Sequence, residues 1–443
     1  MLGFQIPSFI NRYTAMLGIC SMLCWSNAQA QYLVETEGED DVDSWLWLPY
    51  VFYTDTMGTS FGLAMAKSGW LQPQSSLAGT VYLSENGSEV VYLAQEDYQI
   101  NQDSRWFVSS YLSFGQHNTL RGYFTQDIQP EFESRVAGSN DSEQRNFLQS
   151  DGYETVAEIR LSYSLPWGDL EDDPLATYYT IHGLLANEPA HFPEWNPLTN
   201  GRTKLHLETF LHNRSYDINN IAPEKGSAHF YSNGIITGLS YDNRDYEVNP
   251  SKGTYQSITW QYDPGLAKSS SAWNTLTLDF RQYLPTNLFS NSQQEVLALR
   301  QWWADTPSWE ETSVDGKRLI ENRPPHYMGV FLGGYERMRA YPRALFNDRS
   351  GVYDSAEYSI IPSRQFTDSL PIPKFIPFDW LQFNLFAELG NVNKRFNLEE
   401  LHSNLKTSYG FGLAASAGGA IARVDFAFSD ETNQLWFIIG QTF

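Results

Sequence analysis

Two groupings in this chain have residue types and spacing that chemistry uses. Gly58-Thr59-Ser60-Phe61-Gly62 fits G-x-S-x-G, the pattern in which a serine on a sharp strand-to-helix turn becomes an acyl-transfer nucleophile. That use also needs an oxyanion loop and an Asp or His to complete the site. Here the segment sits between two short strand-like runs, so a glycine-containing hairpin turn is the expected reading. His206 and His212 fall on one face of a strand, but six residues of strand separate them by roughly 20 Å, too far to share a metal ion. No other grouping of His, Asp and Glu has metal-ligand spacing. No cofactor and no metal are expected, and the chain is not expected to be an enzyme.

The elements around these residues are strands. Between Trp47 and Phe443 the chain breaks into segments of about ten residues with period-two patterning, separated by Gly, Asn, Asp and Pro. Sixteen strands are expected. The first eight are at about 47–55, 59–67, 76–84, 88–99, 104–114, 153–165, 203–214 and 231–242. The rest are at about 253–263, 272–284, 294–305, 354–363, 380–391, 407–416, 419–429 and 434–443.

The face that holds the polar groups is informative. In TKLHLETFLHN, Leu205, Leu207 and Leu211 share one face while Lys204, His206, Glu208 and His212 share the other. Ile159, Leu161 and Tyr163 oppose Glu158 and Arg160; Leu276, Leu278 and Phe280 oppose Asp279 and Arg281; Leu381, Phe383, Leu385 and Leu389 oppose Gln382, Asn384 and Glu388. A soluble sandwich also alternates, but a membrane barrel turns its apolar face outward and encloses a charged interior. Trp302, Trp303 and Trp309, and Trp260 with Tyr262, fit aromatic girdles at the bilayer interface, with a carbohydrate-binding platform as the sharper alternative. Pro324-Pro325 and Pro371, Pro373 and Pro377 are expected to stiffen loops or turns.

Both ends of the chain agree with a barrel. The last ten residues, QLWFIIGQTF, alternate and finish on Phe443, as suits a closing strand paired with the first. Residues 1–30 carry an apolar run from Ala15 to Trp25 and end Ala28-Gln29-Ala30, the pattern of a cleaved secretory signal. Cys20 and Cys24, the two cysteines of the chain, would leave with it. Residues 31–46 form an acidic stretch expected to be a disordered periplasmic tail. The barrel is assigned to 47–443.

The net charge of −23 argues against nucleic acid. Acidic loops keep an exported chain soluble in transit; facing divalent-bridged lipopolysaccharide is the alternative reading. No segment after residue 30 carries the ~18 to 20 consecutive apolar residues of a helical span. Three connections are long: Gln116 to Gly152, Pro166 to Arg202, and Thr306 to Tyr353. With both termini periplasmic, strand parity puts the first and third outside the cell and the second, residues 166–202, in the periplasm. That insertion is either a small docking element or an ordered turn packed under the barrel, and Tyr178 to Leu185 within it also reads as a strand pair.

Several stretches resemble the barrel of the BamA/TamA outer-membrane assembly superfamily, the bacterial surface antigen family of Gram-negative bacteria. Asp242-Asn243-Arg244-Asp245, then Asn249-Pro250 and Lys252-Gly253, resembles the family's mid-barrel D-x-R-D…N-P…x-G turn. Ala422 to Phe428 is similar to its penultimate strand, and the ending with Gly440 and Phe443 to its closing strand. Gly333-Gly334 followed by Met338-Arg339-Ala340-Tyr341 resembles the V-R-G-F/Y tetrapeptide at the tip of a loop folded into the lumen. The resemblance implies that Arg339 is held by carboxylates on the two following strands, for which Glu357 and Glu388 occupy matching places. A guanidinium gripped by carboxylates in a restricted lumen suits pinning a loop. Ala340 departs from the family's glycine; if that position needs a positive φ, its Cβ costs about 1 kcal/mol or more. The periplasmic polypeptide-transport-associated domains usual in the family, and the patatin-like lipase of some relatives, have no room before residue 47.

The expected protein is therefore an all-β, sixteen-stranded antiparallel transmembrane barrel of the outer membrane, with residues 307–353 entering the lumen. The resemblance implies that it assists insertion or translocation of protein or lipid through a weak seam between first and last strands. The alternatives are a diffusion channel or specific pore, and a structural surface antigen. Expected partners are outer-membrane lipid and lipopolysaccharide, a polypeptide or lipid substrate and a periplasmic partner protein; a monomer is expected.

Overall fold

A computed structural model describes residues 32–36, 45–54, 57–123, 138–186, 195–219, 226–314, 317–363, 378–417 and 420–439. One antiparallel sheet of sixteen strands, hydrogen-bonded in chain order, forms the barrel. Its strands are β1 (Leu46–Thr54), β2 (Gly58–Ser68), β3 (Ser76–Ser84), β4 (Glu89–Gln99), β5 (Trp106–Gly122), β6 (Leu148–Ser164), β7 (Arg202–Asp217) and β8 (Ser227–Asp242). They continue as β9 (Gly253–Pro264), β10 (Ala272–Pro285), β11 (Ser292–Asp305), β12 (Ser350–Pro362), β13 (Phe378–Asn393), β14 (Lys406–Ala417), β15 (Ala420–Phe428) and β16 (Asn433–Ile439). Each sequence-derived segment corresponds to one of these. Gly440 and Phe443, residues 1–30 with the expected secretory signal, and Pro371, Pro373 and Pro377 lie outside the described residues.

Alternation divides the two faces as a lipid-facing barrel requires. On β7, Leu205 and Leu207 are 45% and 43% exposed while Lys204, His206, Glu208, His212 and Arg214 are buried. On β13, Phe383, Leu385 and Leu389 face outward and Gln382, Asn384 and Glu388 inward. The inward polar groups find partners in one another. Arg160 meets Glu208 at 2.7 Å, His206 lies between Ser162 and Ser240, and His212 contacts Glu154. Asp279 holds both Arg281 and Arg300, each at 2.8 Å.

Two expectations about extents change. β5 and β6 run on to Gly122 and back from Leu148, so their connection is shorter than Gln116 to Gly152. The cause is an apolar cluster of Leu120, Leu148, Tyr216, Ile218 and Ala228 that continues these strands beyond the alternating belt. Residues 31–46 are not structureless throughout: Tyr32–Thr36 is a strand paired in parallel with Ala176–Ile181. The latter turns back antiparallel into Leu184–Leu185, so two strands of the 166–202 insertion and one from the N-terminal stretch make a three-stranded sheet.

The aromatic assignments divide. Trp260 is outward and stacks on Tyr262, ring centroids 5.1 Å apart. Trp302 and Trp309 are instead buried. On β11 the phase of Trp302 is the interior one, and the guanidinium of Arg337 sits 4.4 Å over its ring. Ser60 lies within β2, opposite Phe52 and Ser84, rather than at a strand-to-helix elbow or in a hairpin turn.

Candidate functional site

Within the segment between β11 and β12, residues 326–346 pass through the barrel interior and touch both sides. On one side the hydroxyl of Tyr327 donates to the carbonyl of Phe230 on β8 at 3.0 Å, and the hydroxyl of Tyr216 on β7 meets His326 Nε2 at 3.0 Å. On the other, Tyr335 packs edge-on against Trp436 of β16. Between them Arg300 of β11 donates to the carbonyl of Glu336 at 3.2 Å. Met338, Ala340, Tyr341, Leu345 and Phe346 form a buried cluster with Trp302, Tyr353 and Phe386.

The loop's turn holds two glycines and two other residues of positive φ, Met338 and Ala344. Gly333 and Gly334 have φ of 101° and 109°, and a Cβ on Gly333 would stand 2.1 Å from the carbonyl oxygen of Pro342. Gly334 N–H donates to Tyr341 O at 2.9 Å and closes the tip. Met338 takes the left-handed conformation, φ 61°, which presents the next residue to the barrel wall. Ala340 is not among the residues of positive φ. Its Cβ therefore meets no backbone penalty, and its N–H donates to Ser408 Oγ at 3.0 Å.

Arg339 is the centre of a charged cluster. Its Nε donates to Glu388 Oε1 at 3.0 Å, its backbone N–H to Glu388 Oε2 at 2.7 Å, and its Nη1 to both Glu357 Oε2 and Asp425 Oδ2 at 2.8 Å. A second guanidinium completes the set. Arg423 spans Glu357 with two bonds of 2.6 and 2.8 Å and reaches Asp425 Oδ1 at 2.6 Å. Tyr353 and Ser408 donate to the two oxygens of Glu388, at 2.8 and 2.6 Å. Phe386 lies under the guanidinium of Arg339, 3.4 Å from its carbon. Burial opposes the Arg339 charge, yet Glu388, Glu357 and Asp425 hold it well above its usual pKa range.

Tyr353, Ser408, Arg423 and Asp425 were not singled out from the sequence. The alternation of β15 carried the signal, because Arg423 and Asp425 share the phase opposite Phe426 and Phe428. What pairs with what across the interior is not a periodic property.

The mid-barrel turn forms a second knot at the other mouth. Arg244 clasps Asp242 with bonds of 2.9 and 2.7 Å, and Arg202 reaches Asp242 and Glu247, each at 3.3 Å. Asp245 accepts the N–H groups of Tyr246 and Ser251 at 2.9 Å. Burial raises the pKa of Asp245, with these hydrogen bonds opposing. Asn249 accepts from Gln294, and Pro250 lies buried beside it. Gly253, φ 108°, allows the turn to close, since a Cβ there would stand 2.5 Å from Asn243 O.

His206 and His212 are not brought together, and among the described residues no group of three or more His, Cys, Asp or Glu could hold a metal ion. An interior cavity of about 280 Å³ remains between loop and wall, lined by Glu154, Glu158, His212, Tyr327, Arg337 and Arg343 among others.

A family model described as the Omp85 superfamily domain matches residues 53–443. The chain belongs to the Omp85 superfamily. Membership accords with the BamA/TamA-type resemblance carried by the loop tip and the turn. Among solved structures, the Omp85 chain is similar to BamA from Haemophilus ducreyi lacking POTRA domains 1-3, with 12% identity and a TM-score of 0.48 over 90% of this chain and 70% of that one. It is also similar to CdiB from Acinetobacter baumannii, with 12% identity and a TM-score of 0.46 over 89% of this chain and 59% of that one. CdiB from Escherichia coli has 7% identity and a TM-score of 0.45 over 89% and 62%. The chain thus spans less than two thirds of the length of either CdiB. No curated protein matches.

Proposed function

We propose that this Omp85 barrel assists insertion or translocation of protein or lipid at the outer membrane, acting at the seam where β1 and β16 meet. Superfamily membership over most of the chain supports the outer-membrane assembly class. The observation that carries the reading is the cluster around Arg339. It fastens a loop through the interior to β12, β13 and β15, and Trp436 of β16 donates to the carbonyl of Arg339 at 2.6 Å.

An interior occupied in this way suits a gate better than an open pore, because the loop packs between β7 and β8 on one side and β16 on the other. The same loop braces the strand at the seam, so loosening the loop and loosening the seam are mechanically linked. The role assigned to Arg339 is positional.

Single-channel conductance of the purified barrel in a planar bilayer, beside Arg339→Ala, tests the reading. Small flickering currents that grow or destabilise in the variant are the expected result. Sustained, uniform, large steps in the unsubstituted protein would overturn the gated reading and favour a diffusion pore.

A further inference from the structure

The insertion between β6 and β7 carries a hairpin whose edge is already occupied by another part of the chain. Ile181 pairs with Leu184 across His182 and Gly183, both of positive φ, the two-residue turn whose twist suits a tight hairpin. Its inward side chains tie it to the barrel's lower mouth. Tyr178 is buried against Tyr246, ring centroids 5.2 Å apart, and its hydroxyl accepts from Arg202 Nη1. Leu184 packs with Ile361, Trp380, Ala414 and Ile421, at the ends of β12, β13, β14 and β15. Starting beside β6 and β7, the hairpin therefore reaches across the opening to the other wall.

The hairpin's outer face is different. Tyr179 and Ile181 are 48% and 42% exposed, and Thr177 lies beside them. Leu184–Leu185 covers one edge of Ala176–Ile181 at only two residue pairs. The other edge bears the five-pair parallel ladder with Tyr32–Thr36, from Tyr32↔Ala176 to Thr36↔Thr180. A strand of this length, in a sheet of three, is held weakly by backbone bonds alone. After Thr36 the acidic stretch 37–45 leads directly into β1, a strand of the seam.

We propose that Ala176–Ile181 is a docking edge for an extended polypeptide, which displaces Tyr32–Thr36 and pairs in its place. Strand addition to an exposed edge draws affinity from main-chain hydrogen bonds, so it accepts many sequences. Tyr32–Thr36 acts as a tethered competitor: its short tether gives it an effective concentration of roughly millimolar, and a free strand must overcome that. Displacement frees Tyr32–Thr36, which precedes β1 in the chain, so capture of a client at the mouth is transmitted to the seam strand. The inference rests on the assembly reading for the client being polypeptide and not lipid, but the docking edge itself is tested without any insertion step.

The probe is a dye-labelled peptide of residues 31–38, QYLVETEG, titrated against the full barrel in detergent and read by fluorescence anisotropy. Val34→Pro disrupts the competitor strand while leaving its tether. The expected result is peptide binding about tenfold or more tighter in Val34→Pro than in the unsubstituted chain. Equal binding by a folded Val34→Pro barrel, shown by its heat-modifiable gel mobility, overturns the proposal. A locked variant decides independently of that fold: Leu33→Cys with Thr177→Cys, which are register partners, in a background lacking Cys20 and Cys24. Oxidation should abolish peptide binding and reduction restore it; binding unchanged on oxidation, or equal binding of a peptide with proline at its centre, overturns the proposal. Failure here with flickering conductance retained would leave the gated barrel standing and remove only the docking edge.

Discussion

The indole N–H of Trp436 donates to the backbone carbonyl of Arg339 at 2.6 Å, so the last strand grips the loop tip by its main chain while carboxylates grip the same residue by its side chain. The two grips differ in kind. A neutral hydrogen bond is worth about 1 kcal/mol, whereas a buried charge stripped of its partner costs several.

Trp436→Phe keeps the aromatic body against Tyr335 and removes only the donor. It is expected to lower unfolding stability by about 1–3 kcal/mol, since the Arg339 carbonyl is left buried and unpaired. Urea unfolding of the reconstituted barrel, followed by tryptophan emission and by loss of heat-modifiable mobility, checks this. The same variant should show more flicker in single-channel records while keeping a closed baseline.

Arg339→Ala leaves Glu388, Glu357 and Asp425 facing one another with only Arg423 between them. A loss of about 3–5 kcal/mol is expected, the range for breaking a buried ion pair from one side. Arg339→Lys should recover little, because one ammonium cannot span three carboxylates in fixed directions. Adding Glu388→Gln to Arg339→Ala should restore part of the loss; strict additivity of the two changes in unfolding measurements would show that the groups are not coupled.

The loop-tip backbone gives a test of opposite signs from expectation by family pattern. Ala340→Gly, which restores the family's residue, is expected to destabilise by about 0.5–1 kcal/mol, because Ala340 has no positive φ to relieve and glycine adds entropy to the unfolded chain. Gly333→Ala should be far worse, with a positive φ and a carbonyl 2.1 Å from the new Cβ. Thermal or urea midpoints of the two variants, measured side by side, separate them.

His326 makes loop docking depend on pH. Burial, then Arg214 and Arg323, depress its pKa well below the ordinary value; Glu154 opposes and His212 adds to the depression. A histidine kept neutral when folded binds a proton more readily when unfolded. Stability is therefore full above the unfolded pKa of about 6.5 and falls as pH drops below it. Unfolding midpoints should decline between pH 8 and pH 5, and His326→Gln should flatten that decline. An unchanged slope in the variant would assign the dependence to other groups.

Much of the architecture was legible because it is local. Period-two alternation is a property of the strand itself, so Leu205, Leu207 and Leu211 declare their face without knowledge of any neighbour. Turn residues such as Pro250 and Gly253 likewise mark their own positions, since one lacks a donor and the other accepts a φ of 108°. The assignment failed where phase had to be known, not composition. Trp302 and Trp309 looked like interfacial aromatics, yet their positions along the chain turn them inward. Tyr32–Thr36 looked like acidic tail, because the edge that orders it lies far along the chain.

The sequence by itself determined that sixteen strands form and which of their faces is apolar, and its resemblance to a known family implied that Arg339 sits at the tip of a long loop. Only the tertiary structure decided that Arg339 meets Asp425 and shares Glu357 with Arg423, that Trp436 holds its carbonyl, and that the 166–202 hairpin reaches from β6 and β7 to Trp380. The reason is physical. Alternation depends on the dihedral angles of adjacent residues, whereas these contacts join residues far apart in the chain, and curling the sheet into a barrel is what brings their inward faces together.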